Sequence, residues 1–251
     1  MFSKEELFEF LIQEYEHPFS GWDFSHIRDR MVSSPLPWSY ASKVLPRLIK
    51  VDSLLDMGTG GGEFLANNFQ PFPKYTCATE AHGPNVPIAK SRLEPLGVKV
   101  CQLCGDDSLP FKNEEFELVI NRHEYYDAEE VFRILKKRGD FITKQVDSCN
   151  DKELADLLGA TYTVDEWNLD LASKELESAG FTIIEKLAGI QLTRFFDIGA
   201  VVFYLKIVPW AISDFSIEKY KDKLFAIHEK IVNEGFIEVK NPRFMIVAKK
   251  E

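Results

Sequence analysis

The chain alternates between helical and strand-like spacing of its apolar residues. Near the start, KEELFEFLIQEYE sets Leu7, Phe8, Phe10, Leu11 and Ile12 on one side with acids opposite, which predicts a helix over 4–16. Residues 17–38, HPFSGWDFSHIRDRMVSSPLPW, are rich in Pro, Ser and aromatics and read as an irregular, lid-like stretch. A second helix is expected over about 39–49. From 52 to 146, apolar runs at 52–57, 75–80, 98–103, 116–121 and 139–146 predict strands. Helical patterns near 62–69, 84–94 and 127–136 separate them. Beyond these, a helix near 164–179 ends at Gly180, and a strand covers about 181–195. A helical insertion fills roughly 198–233, and RFMIVAKK closes the pattern as a strand.

Strands separated by helices of this length imply βαβ units and a parallel sheet with helices on both faces, a Rossmann-like α/β fold. The late strands read as the end of the same sheet, carrying a cap at about 197–235. The expected organisation is therefore a helical lid over 1–50 and a core domain over 51–251.

Composition narrows the class. With 45% apolar and 28% charged residues in 251, a packed globule is expected. MFSKEELFEFLIQEYEH is acidic and amphipathic, with no apolar core or small-residue cleavage site, so it is not read as a signal peptide. FFDIGAVVFYLKIVPW is strongly apolar, but Asp197 and Lys206 leave only eight residues between charges; it reads as a buried helix and no membrane span is expected. Four cysteines make no disulfide framework and suggest a reducing, cytoplasmic setting. Cys101 and Cys104 have a half-site spacing, yet they sit on a strand-like run with no second pair, so no metal is expected.

The net charge of −10 is concentrated in the middle of the chain. Residues 1–50 hold 6 basic and 7 acidic side chains, and 206–251 hold 9 and 7, which leaves −11 between them. A nucleic-acid reader normally shows a basic stripe. RNA as a partner therefore has no support from charge.

The candidate chemistry begins at LLDMGTGGGEF, residues 54–64, with four glycines in five positions behind an apolar strand. A strand, a glycine turn and a helix direct backbone N–H groups at a ligand. Dinucleotide folds need G-x-G-x-x-G. Gly58, Gly60 and Gly62 instead give G-x-G-x-G, and Glu63 at the helix start opposes a pyrophosphate. S-adenosylmethionine, with a sulfonium, an ammonium and a ribose but no phosphate, suits close backbone and acids better. Asp56 at the strand end favours positive charge. Glu80, 18 residues after Gly62, stands where a carboxylate accepts both ribose hydroxyls. Asp106 or Asp107, after the third strand, is placed to accept from the adenine amino group.

The ordered run DMGTGGGEF, TCATEA, CGDDSLPFKNEEFELVINRHEYY and FRILKKRGDFITKQV resembles class I S-adenosylmethionine-dependent methyltransferases of the LPF-type, type 11-like branch, over about residues 52–146. The resemblance implies a seven-stranded, mostly parallel sheet whose last strand is antiparallel, with S-adenosylmethionine as cofactor. It carries Asp56, Gly58, Gly60, Gly62, Glu80, Ala81 and the Asp106–Asp107 pair into the cofactor site. One departure is Lys137-Arg138-Gly139 in place of a Pro-Gly-Gly turn, expected to be harmless in a surface turn. The LPF-type core and the VPW segment also resemble, loosely, ribosomal RNA guanine-N1 methyltransferases; their N-terminal zinc module has no counterpart here, since no cysteine precedes Cys77.

The acceptor side should lie beyond the fourth strand, in Asn121-Arg122-His123-Glu124-Tyr125-Tyr126. His123 is the one group there with a suitable unperturbed pKa for taking a proton from an acceptor, and packing or hydrogen bonding under the donor is its other reading. Asn121 is expected at the donor's methionine end. Arg122 suits an acceptor carboxylate or phosphate, or an ion pair with a nearby acid. Trp22, Trp38, Tyr40, Tyr204 and Trp210 are candidates for an aromatic pocket wall, with core packing as the alternative. The expectation is methyl transfer to an unidentified acceptor, a small molecule being favoured. The competing functions are an rRNA base methyltransferase, a non-catalytic S-adenosylmethionine-binding module and an NAD(P)-dependent oxidoreductase. Oligomeric state is not legible in the sequence.

Overall fold

The structure is a computed structural model that describes residues 2–19, 23–104, 108–162 and 166–251. In chain order it forms helix α1 (Lys4–Glu16), strand β1 (Met31–Ser33), helix α2 (Tyr40–Leu48), strand β2 (Ser53–Met57) and helix α3 (Glu63–Asn68). Strand β3 (Tyr75–Glu80), helix α4 (Asn85–Leu93) and strands β4 (Lys99–Gln102) and β5 (Phe116–Arg122) follow, then helix α5 (Ala128–Ile134) and strand β6 (Leu135–Val146). Helices α6 (Lys152–Leu158) and α7 (Leu169–Ser178), strand β7 (Thr182–Phe195), helices α8 (Ile198–Ile207) and α9 (Ile217–Glu234) and strand β8 (Ile237–Lys249) complete it.

The chain divides into two compact units. The sheet unit consists of Pro37–Asp147, Glu166–Gly189 and Arg243–Glu251. Its strands run in the order β4-β3-β2-β5-β6-β8-β7. The β2–β6 pairs are parallel, and β8 runs antiparallel to β6. The two faces of the sheet fill separate cores, because successive side chains alternate. Leu54, Leu118, Ile120 and Ile142 pack with Tyr40, Val44 and Leu48 of α2 on one face. Leu55, Val119 and Phe141 pack with Leu176 of α7 and Phe244 on the other. β2 is buried at every residue, which is why it reads as a continuous apolar run. β2 neighbours β3 on one side and β5 on the other, so the crossover direction reverses between β2 and β5. In open α/β sheets ligands bind at the carboxyl ends of the strands flanking such a reversal.

The second unit holds Met1–Leu36, Ser148–Asp165 and Ile190–Pro242. A capping box between Ser3 and Glu6 starts α1, and Leu7 and Leu11 bury its apolar side against α8 and α9. α8 is apolar apart from Tyr204 and Lys206, and its other eight residues are all buried. Asp197 at its N-cap takes two hydrogen bonds from Arg30, at 2.7 and 2.6 Å. Glu14 accepts from Arg30 and lies 2.9 Å from His26, so His26 belongs to this unit's ion-pair network. Among the described residues no helix is long and apolar enough to cross a membrane.

Several expectations are corrected. The sheet has eight strands rather than seven, because Met31–Ser33, inside the stretch expected to be irregular, pairs antiparallel with the Thr193–Phe195 end of β7. α6 was not anticipated, and α7 begins at Leu169. The expected insertion is two helices separated by residues 208–216. β8 starts six residues before Arg243: Pro242 suggests a break, yet the buried Asn241 side chain is held by Asn150 and Asp151 and the strand continues through it. β6 starts at Leu135, and the Lys-Arg-Gly segment is an irregularity within the strand, not a turn, with a register shift against β5. Arg138 there holds φ +64°.

Candidate functional site

The glycine turn follows β2 at the topological reversal. Gly58 and Gly62 have φ values of +66° and +80°. Each is also required by a neighbour. A side-chain carbon on Gly58 would overlap Cβ and Cγ of Glu124, and one on Gly62 would meet Leu93 of α4 at 2.7 Å. At Gly60 the same carbon meets nothing within 4 Å, so the tip of the turn is open.

The turn is tied to β3. Thr59 N–H donates to the Thr79 carbonyl at 2.8 Å, Gly58 N–H to the Thr79 hydroxyl at 3.3 Å, and Gly60 N–H to Glu80 Oε2 at 2.7 Å. Glu80 Oε1 accepts from His82 N–H at 2.7 Å. Glu80 is buried, and each carboxylate oxygen retains a further lone pair. Ala81 follows it in an exposed position.

Asp56 is the second acid, buried one residue before the end of β2. Desolvation pushes its carboxyl up to about 7; Thr59 and Arg122 oppose that shift, and Glu80 adds to it. The Thr59 hydroxyl acts from beyond hydrogen-bonding geometry, since it has no formed partner. The third acid is Glu124, half-buried and folded over Gly58, its pKa raised by burial and by Glu80. Among the described residues none of the three carboxylates lies in an ion pair. Glu124 was named in the sequence without a role; nothing in the spacing signals that the chain, after a left-handed His123 at φ +63°, turns back over the glycines.

Glu63 behaves differently from expectation. Arg92 of α4 pairs with it at 2.5 Å and also donates to the Gly61 carbonyl, so its charge is compensated and it no longer argues against a pyrophosphate. That argument passes to Asp56, Glu80 and Glu124. The shallow depression lined by Pro87, Ile88, Ser91 and Arg92 offers hydrocarbon edges and an already engaged guanidinium, and carries no comparable chemistry.

β5 supplies the other side of the reversal. Asn121 is fully buried; its Oδ1 accepts from Gln145 at 2.6 Å and Thr143 at 3.0 Å, while its amide nitrogen has no partner among the described residues. Arg122 lies on the opposite face, with its guanidinium carbon 4.1 Å from the centre of the Phe64 ring. His123 donates its backbone N–H to the Lys144 carbonyl at 2.8 Å. Its imidazole pKa is well below the usual value, from desolvation and from Lys144, Arg122 and Arg243. The ring is neutral at pH 7.

Tyr40 is buried with no hydrogen-bond partner for its hydroxyl among the described residues, on the face that carries Asp56 and Arg122. Trp38 is half-buried, its indole ring centre 6.0 Å from Lys144 Nζ. Tyr204 and Trp210 belong to the second unit, where Tyr204 donates to Asp151 at 2.7 Å and Trp210 is 66% exposed. Trp22, Asp106 and Asp107 lie outside the described residues. Among the described residues no group of His, Cys, Asp and Glu is arranged to hold a metal.

No protein-family model and no curated protein matches the chain. Solved structures do. BH2331 from Bacillus halodurans C-125, described as a candidate methyltransferase, is similar at a TM-score of 0.58 and 19% identity, over 83% of this chain and 99% of that one. A functionally unknown protein from Deinococcus radiodurans R1 is similar at 0.59 and 14%, over 98% of both chains. Geranyl diphosphate methyltransferase in complex with SAM is similar at 0.51 and 16%, over 84% of both chains. At these identities the likeness establishes the fold alone, a Rossmann-like α/β fold with a mostly parallel sheet.

Proposed function

We propose that the chain binds S-adenosylmethionine at the glycine turn and directs its methyl group to a small-molecule acceptor. The observation that carries this reading is the set of three carboxylates, Asp56, Glu80 and Glu124, around an open, amide-lined turn, with no cation among the described residues paired to any of them. A diphosphate brought to that turn meets repulsion from all three. A ligand with a sulfonium and an ammonium relieves it.

The residues present fit such a group. The glycine backbone admits close approach, and the remaining lone pairs of Glu80 suit the hydroxyls of a ribose. The unpartnered Asn121 amide nitrogen is a buried donor available to the methionine end. Asp106 or Asp107 keeps its expected role toward the adenine. When bound, S-adenosylmethionine supplies an electrophilic methyl group, so the chain's contribution is alignment and exclusion of water. His123, neutral and of lowered basicity, serves to orient an acceptor N–H or O–H by accepting its hydrogen bond. The structural neighbours named above, two of them described as methyltransferases, agree with this reading.

Isothermal calorimetry on the full chain tests it. S-adenosylmethionine and S-adenosylhomocysteine should both bind with micromolar-range affinity, and Asp56→Asn should weaken the first more than the second. Binding of neither nucleoside overturns the proposal. Slow hydrolysis or transfer of a radiolabelled methyl group in cell extract distinguishes an enzyme from a binding module.

A further inference from the structure

Beyond the acids of the turn, the same end of the sheet carries a second cluster, of opposite sign. Arg122 and Lys144 are Cα partners across β5 and β6, so both side chains leave the sheet on one face, next to each other at the carboxyl ends of their strands. Val146 of β6 is opposite Arg243 of β8, which puts Arg243 on that face too. Like charges directly opposite in neighbouring strands destabilise a sheet. Among the described residues neither Arg122 nor Lys144 is compensated by an ion pair. Each is instead set against an aromatic ring, Phe64 for Arg122 at 4.1 Å and Trp38 for Lys144 at 6.0 Å. Burial, with the fields of Arg122 and Arg243, brings the Lys144 ammonium down to about 8. Asp56 lies on the same face, opposite Ile120 and so diagonal to Arg122, but burial leaves it only partly ionised near neutral pH. This accumulation occurs in a chain of net charge −10.

We propose that Arg122 and Lys144 receive a carboxylate or phosphate group carried by the methyl acceptor, which makes the acceptor an anionic small molecule. The proposal rests on the methyl-transfer reading and specifies its substrate class. Arg122 and Lys144 present charge-assisted donors side by side, a match for the two oxygens of such a group. His123, which bonds the Lys144 carbonyl through its own backbone, lies next to the same anion. The flat ring of Trp38 beside Lys144 gives the acceptor an apolar surface next to its charge.

The test titrates the full chain with sodium benzoate, inorganic phosphate and neutral methyl benzoate at fixed ionic strength, in the presence and absence of saturating S-adenosylhomocysteine, following tryptophan fluorescence and heat. Saturable binding of benzoate or phosphate, with no binding of methyl benzoate, is expected, and the anion that binds identifies the group. Lys144→Gln and Arg122→Gln should each weaken that anion by about tenfold or more, the loss of one charge-assisted contact. Lys144→Arg should retain most of it, and S-adenosylhomocysteine affinity should stay within about twofold throughout. Absence of anion binding by the wild-type chain overturns the proposal. So does a Lys144→Gln chain that loses S-adenosylhomocysteine while keeping methylthioadenosine, because the cluster would then hold the donor's own carboxylate. If S-adenosylhomocysteine fails to bind, the methyl-transfer reading falls, and the titrations without it still decide whether the cluster is an anion site.

Discussion

Gly60 donates its N–H to Glu80 Oε2 at 2.7 Å, joining the open tip of the turn after β2 to the end of β3. The same carboxylate caps His82 N–H with its other oxygen, so it shapes the turn before any ligand arrives. Glu80→Ala removes both bonds and the proposed ribose contacts. It should weaken S-adenosylhomocysteine binding by roughly 1–3 kcal/mol and lower the melting temperature. Calorimetry and a thermal melt on the same variant read the two effects. Unchanged affinity would remove Glu80 from the ligand site.

Glu124 folds over Gly58 and contributes the third acid. Glu124→Gln keeps the shape and removes a charge. It should therefore lower the ratio of S-adenosylmethionine to S-adenosylhomocysteine affinity, because only the first carries a sulfonium charge. Gly58→Ala, in contrast, forces both a left-handed alanine and an overlap with Glu124, and should cost about 1–3 kcal/mol of stability by denaturant unfolding.

Asp56 makes ligand binding sensitive to pH. Its folded-state pKa of about 7 lies above that of a free aspartate, near 4, so the native state holds more protons than the unfolded state between the two values. Stability of the ligand-free chain should fall as pH rises from about 4 to about 7, by roughly 3–4 kcal/mol at most from this group. A bound cation favours the ionised carboxylate. S-adenosylmethionine binding at pH 7 should then release up to about half a proton, measured as the dependence of the binding heat on buffer ionisation enthalpy. Proton uptake would contradict the assignment.

The turn of the class I resemblance has glycine where this chain has Arg138, and the structure holds Arg138 at φ +64°. A non-glycine residue in that region carries a strain of about 1–2 kcal/mol. Arg138→Gly should recover part of it, raising stability by about 0.5–1 kcal/mol in urea unfolding while leaving ligand affinity alone.

The alternation of apolar runs and helical patterns from 52 to 146 made the parallel core legible, because its inner strands are largely buried on both faces, only the edge strand β4 being mostly exposed, and each helix is buried on one. Asp56, the glycines and Glu80 were legible for a similar reason: they sit at fixed distances from strand ends. What escaped depended on contacts between distant segments. The strand at Met31–Ser33 has no pattern of its own and exists through Thr193–Phe195. Glu124 acquires its place from the left-handed His123, and Lys144 from its register opposite Arg122. Glu63 was misjudged since its partner, Arg92, lies 29 residues on, across the α3–α4 packing.

The most direct test of the three-acid site is a calorimetric comparison of S-adenosylmethionine with NADH on the same protein at pH 7 to 8. The account predicts micromolar-range binding of S-adenosylmethionine that tightens with rising pH, and no measurable binding of NADH. Binding of NADH that S-adenosylmethionine fails to displace would contradict it.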